Sequence, residues 1–273
     1  MEYFFSVIIP TLNEEECLPR LLNDFKNQSN KNFEMIIVDG ASEDNTKSEA
    51  LKFTKDLNLR YFENERKNVS YQRNFGASKA LGKYLVFLDA DCRAKPSFTH
   101  LLYSSILKEK GLVFIPYSLP DVKSTQADFV FRLTNFLIEL SLSTTRPFTN
   151  GGNMIWEKNF FRLIGGFDEK LFLSEDHDIV QRATLWGVRA KFLNRVKFTF
   201  SLRRARNEGQ LALLYKYLVA TVYLVLKGDI KKKIFEYEMG GKVDNVVKES
   251  LFSKQNFKHY LKQIKEFFNQ EIT

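Results

Sequence analysis

The chain has 273 residues, 44% hydrophobic and 27% charged, which fits one large α/β domain, or one with an appendage, and excludes a disordered chain. A net charge of +8 and a pI of about 9.2 favour an anionic partner such as a nucleotide or phospholipid surface, while the lysines form no recognisable nucleic-acid-binding motif. Cys17 and Cys92 lie far apart without metal-site spacing, which argues against a disulfide framework and for a reducing compartment.

The first ten residues, MEYFFSVIIP, lack the basic start of a signal peptide, and Pro10 cuts their apolar run short. No uninterrupted apolar stretch of ~20 residues exists, so a spanning helix is not expected. Residues 5–9 predict a first buried strand, and residues 17–25 a helix with Leu18, Leu21, Leu22 and Phe25 on one side. Residues 33–38 predict a second strand, running into Asp39-Gly40-Ala41-Ser42. A helix should start at residues 44–46 and continue through Ala50, Leu51 and Phe53 to Leu57, with Asp44 a turn or cap residue. Residues 59–62 predict a third strand, and 71–81 a helix stopped by Gly82. Residues 84–88 are a fourth strand. Four apolar strands alternating with helices predict an α/β fold: a mainly parallel sheet with helices on both faces.

A fifth strand is expected over 112–117 and a helix-like stretch over 129–142. A short helix follows over 157–163, ending at Gly165-Gly166, and a helix over 174–187, with Ser174 as its cap. Residues 189–200 read as one or two strands. From residue 206 the chain turns to helices and lysines, giving an expected domain over 1–205 and a helical region over 206–273.

The fourth strand runs into Asp89-Ala90-Asp91. At extended spacing both acids project to one side, just past a strand's carboxyl end, where open α/β sheets bind ligands. Alone, such a pair reads as an acidic turn. Yet the chain has neither G-x-G-x-x-G after its first strand nor G-x-x-x-x-G-K. Two carboxylates bind a diphosphate only through a bridging cation, Mg²⁺ or Mn²⁺.

Seven segments occur in a telling order: SVIIPTLNE (6–14), VDGASEDNT (38–46), QRNFGA (72–77), FLDAD (87–91), GGNMI (151–155), GGFDE (165–169) and EDHDI (175–179). Together they closely resemble the family 2 glycosyltransferases of the GT-A fold, over roughly residues 5–204. The resemblance implies that Pro10, Thr11, Asn13 and Glu14 hold the nucleoside and that Asp39 accepts from the base, usually uracil. It places Arg73 near base and phosphates. Asp91 and Asp89 become the D-x-D pair, Asp91 the direct metal ligand. Gly151, Gly152 and Asn153 would line the donor sugar pocket. Asp176 would be the general base, with Glu175 placing the acceptor.

The implied reaction is an inverting transfer from a nucleotide-diphosphate sugar, with a UDP-sugar favoured, to a hydroxyl or phosphate of a sugar, polysaccharide or lipid-linked acceptor, in glycan, lipid-linked sugar or cell-envelope polysaccharide synthesis. A sugar nucleotidyltransferase and a non-catalytic nucleotide-sugar or lipid-surface binding protein are the alternatives. His177 and Asp178 read as ordinary helix residues, and Cys92 as structural. Many relatives carry a metal-binding His after the E-D helix, and residues 196–206 contain none. Either water and diphosphate complete the coordination, or Arg203, Arg204 and Arg206 share the phosphate charge; a solvated basic turn is the alternative.

Residues 211–226 (LALLYKYLVATVYLVL) are almost wholly apolar and are followed by Lys227 and Lys231, Lys232 and Lys233. Such a segment suits either a bilayer interface with anionic lipid or burial against the catalytic domain. Residues 245–270 predict one or two amphipathic helices. The expected location is cytoplasmic, peripheral at the inner membrane face.

Overall fold

The computed structural model describes residues 3–149, 151–171 and 174–203. Its first half alternates β1 (Phe5–Thr11), α1 (Leu18–Lys26), β2 (Phe33–Asp39), α2 (Thr46–Leu51), β3 (Leu59–Glu63), α3 (Val69–Lys79) and β4 (Tyr84–Phe87). Then come β5 (Arg93–Ala94), α4 (Phe98–Glu109), β6 (Val113–Pro120) and α5 (Thr125–Ser141). β7 (Ile155–Glu157), α6 (Lys158–Leu163), α7 (Glu175–Leu185) and β8 (Lys191–Phe200) complete the described elements.

β1 and β2 are buried along their whole length and are largely apolar; the polar residues within them are paired, the Ser6 hydroxyl donating to Glu34 Oε1 at 2.6 Å and the Thr11 hydroxyl to Asp39. Side chains alternate between the sheet's faces. Phe5, Val7, Ile9, Met35 and Ile37 enter one core with the apolar sides of α1 and α4. Ile8, Ile36, Val38, Leu85 and Phe87 enter the other, with residues of α3, α5, α6 and α7. Helices therefore cover both faces, as expected of the α/β class.

The strand order is β3-β2-β1-β4-β7-β6-β8-β5. β1 pairs in parallel with β2 and β4, as do β2 with β3 and β6 with β8; β7 is antiparallel to β4 and β6, and β5 to β8. The chain winds outward from β1 to β3 and then returns to the other side of β1. That reversal opens a crevice at the carboxyl ends of β1 and β4. The carboxyl ends of β1 and β2 and the loops after β1, β2 and β4 carry the residues at 10–14, 39–42 and 89–91.

Several local expectations are corrected. The second helix stops at Leu51 instead of running to Leu57, while Asp44 is a turn residue as expected, its Oδ1 accepting from the Thr46 N–H. α3 ends at Lys79, before Gly82. Gly82 is needed for a different reason: a Cβ there would stand 2.6 Å from the Phe5 carbonyl carbon and the Ser6 nitrogen. Ser174 does not cap α7 through its hydroxyl; it adopts φ 71°, and only its carbonyl accepts, from the Asp178 N–H. Asp89 and Asp91 are not on extended backbone either. The Cys92 N–H folds back to the Asp89 carbonyl at 3.1 Å, so the acids stand on a turn. β5, β7 and α4 are elements that the sequence pattern does not announce. Arg204, Arg206 and the expected C-terminal helices lie outside the described residues.

Candidate active site

α3 organises the crevice through three consecutive side chains. Asn68 caps this helix, its Oδ1 accepting the Tyr71 N–H at 2.8 Å, and so fixes where the next turn points. Gln72 Nε2 donates to the carbonyls of Thr11 (2.9 Å) and Val38 (2.8 Å), stapling the ends of β1 and β2. Asn74 exchanges hydrogen bonds with the Phe167 backbone and donates to Glu169 at 3.1 Å, fixing the G-G-F-D-E loop.

Between them, Arg73 is almost completely buried. Its Nη2 donates to Asp89 Oδ1 at 2.8 Å and its Nη1 to Glu175 Oε1 at 2.7 Å, while the guanidinium lies 5.4 Å from the Phe167 ring centroid. Burial opposes its charge, but Asp89 and Glu175 outweigh it and raise its pKa. Gly152 lies directly beneath: a Cβ there would stand 2.1 Å from Arg73 Cζ. A side chain at that position would have to displace the guanidinium.

At the base end, buried Asp39 accepts from the Thr11 hydroxyl (3.0 Å), the Ser42 N–H (2.8 Å) and the Ser42 hydroxyl. Three donors hold the carboxylate rigid, aligned by the Thr11–Asp39 pairing of β1 and β2. Asn13 adopts φ 55°, and its Oδ1 takes the Glu43 N–H, tying the 10–14 loop to the one after β2. The Glu14 N–H donates to the Thr46 hydroxyl. Pro10 does not halt β1 as expected: it lies within the strand opposite Val38, and the strand runs on to Thr11 opposite Asp39.

Asn153 clamps Asp89: its Oδ1 accepts the Asp89 N–H at 2.9 Å and its Nδ2 donates to Asp89 Oδ2 at 3.2 Å. The same Oδ1 faces Cys92 Sγ at 3.4 Å. Cys92 is buried, and burial with the adjacent Asp89 and Asp91 raises its thiol pKa, as suits a structural residue. Asp89 and half-buried Asp91 offer the hard oxygen donors that Mg²⁺ or Mn²⁺ prefers. The described residues contain no group of three His, Cys, Asp or Glu able to hold a metal.

Asp176, in the first turn of α7, is buried. Its Oδ2 accepts from the Thr149 hydroxyl (2.8 Å) and the Gly151 N–H (2.9 Å); its Oδ1 lies 2.9 Å from His177 Nδ1. Gly151 reaches this bond at φ 83°, a left-handed backbone suited to glycine. Burial alone would raise the Asp176 pKa. The His177 charge and hydrogen bond, the Thr149 bond and Arg73 outweigh it and bring it down to about 2. Glu175 moves the other way: burial raises it, Arg73 opposes and Asp176 adds to the rise.

The predicted residues thus fall into two groups joined by Arg73. Sequence reasoning passes over Gln72, Asn74, Thr149 and the contact of His177 with Asp176. Gln72 and Asn74 flank Arg73 inside QRNFGA, and Thr149 stands just before the Gly-Gly pair. Asp178 is more than an ordinary helix residue, since it holds Arg182, which donates to the Ile164 and Gly166 carbonyls.

The family model for Glycosyl transferase family 2 matches residues 6–165, more than half the chain. The protein belongs to that family. Over 201 residues it is 28% identical to the glycosyltransferase AglE of Haloferax volcanii, covering 71% of this chain and 65% of the relative. It is 28% identical over 121 residues to the GalNAc(5)-diNAcBac-PP-undecaprenol beta-1,3-glucosyltransferase of Campylobacter jejuni, 39% of each chain. The match to an uncharacterized glycosyltransferase of Rickettsia bellii is 40% identical over 88 residues, 32% of this chain but 12% of the relative. The chain thus spans well under half the length of that relative. Among solved structures, S. aureus TarS in complex with UDP-GlcNAc superposes with a TM-score of 0.60 at 22% identity, over 72% of this chain and 58% of that one. Mannosyltransferase PcManGT of Pyrobaculum calidifontis, in complex with GDP-Man and Mn2+, gives 0.60 at 19% identity, over 73% and 57%. The family 2 chain shares their fold, GT-A.

Proposed function

We propose that this chain transfers a sugar, with inversion, from a nucleotide-diphosphate sugar to an acceptor hydroxyl. The observation that carries the reading is the Arg73 bridge: one guanidinium ties the D-x-D acid Asp89 to Glu175, the neighbour of Asp176. Donor and acceptor chemistry thereby meet at a single buried cation.

In this reading Asp39 accepts from the nucleobase, a uracil imide being the favoured donor group. Asp91 and Asp89 would hold Mg²⁺ or Mn²⁺, which when bound offsets charge on the departing diphosphate. Arg73 holds Asp89 in place and adds positive charge beside it. Gly151, Gly152 and Asn153 line the space for the donor sugar: two of them carry no side chain, and the Asn153 amide is turned onto Asp89. Asp176 takes the acceptor hydroxyl's proton. Its low pKa keeps it ionised at neutral pH. Arg203, the described member of the basic cluster, and Arg204 are proposed to share phosphate charge.

A lipid-linked acceptor at an anionic membrane surface is the substrate class we favour. The Campylobacter relative bears such an acceptor in its name. On α5, Phe129, Leu133, Phe136 and Leu140 expose an apolar stripe, and the chain beyond runs to Thr149 on Asp176. No helix among the described residues is long and apolar enough to cross a membrane.

The test is thermal: UDP with Mn²⁺ should raise the melting temperature of the wild type by several degrees and far less in Asp91→Asn, because only native-state binding stabilises. Equal shifts would remove the metal role. A panel of radiolabelled donors then identifies the sugar, and no transfer from any donor defeats the reading.

A further inference from the structure

Asp176 is not alone at its position. Its Oδ2 is occupied by Thr149 and Gly151, and its Oδ1 faces His177 Nδ1 at 2.9 Å. The imidazole is largely buried, its side chain 15% exposed against 7% for Asp176, and its ring rests 6.2 Å from that of Phe148. His177 Nδ1 is the titratable donor on a carboxylate that is otherwise held by a hydroxyl and a backbone N–H. We propose that His177 is a positioning residue that fixes Asp176 through Nδ1–H in both protonation states and gates its basicity: as imidazolium its charge makes the carboxylate a weak base, and as neutral imidazole it keeps the hydrogen bond without that charge.

The proposal rests on Asp176 being the general base. The acceptor O–H breaks and its proton passes to Asp176 as the acceptor oxygen attacks the anomeric carbon and the diphosphate leaves. With His177 already protonated, that transfer would leave two protons and a net positive charge on the buried pair. With His177 neutral, the pair ends uncharged. Charge burial therefore favours transfer in the neutral-imidazole state. The charged groups acting on His177 are Asp176 beside it and Glu175 in the same turn; on α3, Arg73 opposes them by pairing with Glu175. Burial lowers the His177 pKa, and the two acids outweigh it, so titration falls above the ordinary 6.5. The neutral fraction, and with it kcat, should rise as pH climbs through that value.

Two substitutions separate tuning from structure. His177→Asn keeps an N–H donor toward Asp176 but cannot titrate; His177→Leu removes the donor. The wild type should show a kcat limb rising above pH 6.5, and His177→Asn should retain turnover without that limb. His177→Leu should lose on the order of 100-fold in kcat with donor KM little changed, as a misplaced catalytic group does. Thermal melts confirm that each variant folds. An independent readout needs no turnover: with three histidines in the chain, ¹⁵N-histidine NMR can follow each. One should titrate above the ordinary range and return toward it in Asp176→Asn. A limb that persists unchanged in His177→Asn, or a His177 titration indifferent to Asp176→Asn, overturns the proposal. Transfer that survives Asp176→Asn overturns instead the assignment of the base on which it rests.

Discussion

A methyl group on Gly152 would stand 2.1 Å from Arg73 Cζ, far inside van der Waals contact. Arg73 cannot retreat cheaply, because it is buried and held by Asp89 and Glu175 at 2.8 and 2.7 Å. Gly152→Ala should therefore fold but displace the guanidinium, lowering kcat/KM on the order of 100-fold with a smaller loss of melting temperature. Steady-state kinetics beside a thermal melt checks this; a fully active variant would mean that the Arg73 bridge is dispensable. The residue types are legible in the sequence itself: Asp39, Arg73, Asp89, Asp91, Glu175 and Asp176 stand in an ordered set of motifs. Their partners are not. Asn153 reaches Asp89 across 64 positions and Thr149 reaches Asp176 across 27, and no local pattern reports such a pairing. His177 escapes notice for another reason: it stands next to Asp176 in the sequence, but helical position alone does not say which way a ring turns.

At the scale of elements, α3 lies on β1 with glycine at the contact. A Cβ on Gly76 would come 2.5 Å from Ile8 Cγ2, so this glycine sets the approach that lets Gln72, Arg73 and Asn74 reach three loops at once. Gly76→Val should cost about 1–3 kcal/mol through overpacking. The same change made in an Ile8→Ala background should cost less, a coupling that a double-mutant cycle in urea would measure. Additive losses would mean that helix and strand do not meet there. This element is legible because its polar motif lies between two strands that local pattern also reports, although its start at Val69 behind the capping Asn68 is not. α2 is shorter than its pattern: the apolar positions run on to Leu57, but regular helix ends at Leu51 and a series of turns follows. β5 and β7 have two and three residues, too few for a period to register. The mainly parallel sheet is legible from β1 to β4, whereas β7, antiparallel between β4 and β6, is not.

Charge is distributed unevenly over the whole chain. Residues 204–273 hold 13 Lys and Arg against 8 Asp and Glu, which is five of the eight net positive charges in about a quarter of the length. The apolar run at 211–226 sits beside Lys227 and the Lys231, Lys232 and Lys233 triplet. Each lysine near an anionic leaflet contributes about 1 kcal/mol, an attraction that salt screens within a Debye length. Apolar burial at the interface adds a contribution that salt does not screen. The two are separable. The full chain should float with phosphatidylcholine vesicles containing phosphatidylglycerol and much less with phosphatidylcholine alone, and added salt should release most of it. Replacing the three lysines by glutamine should weaken binding on the order of 100-fold, three charges at about 1 kcal/mol each, while leaving UDP–Mn²⁺ stabilisation intact. Failure to float with either vesicle would remove the membrane surface as a partner and favour a soluble sugar or polysaccharide acceptor. Salt-resistant binding to both would instead assign the attachment to apolar contact, and charge would be incidental.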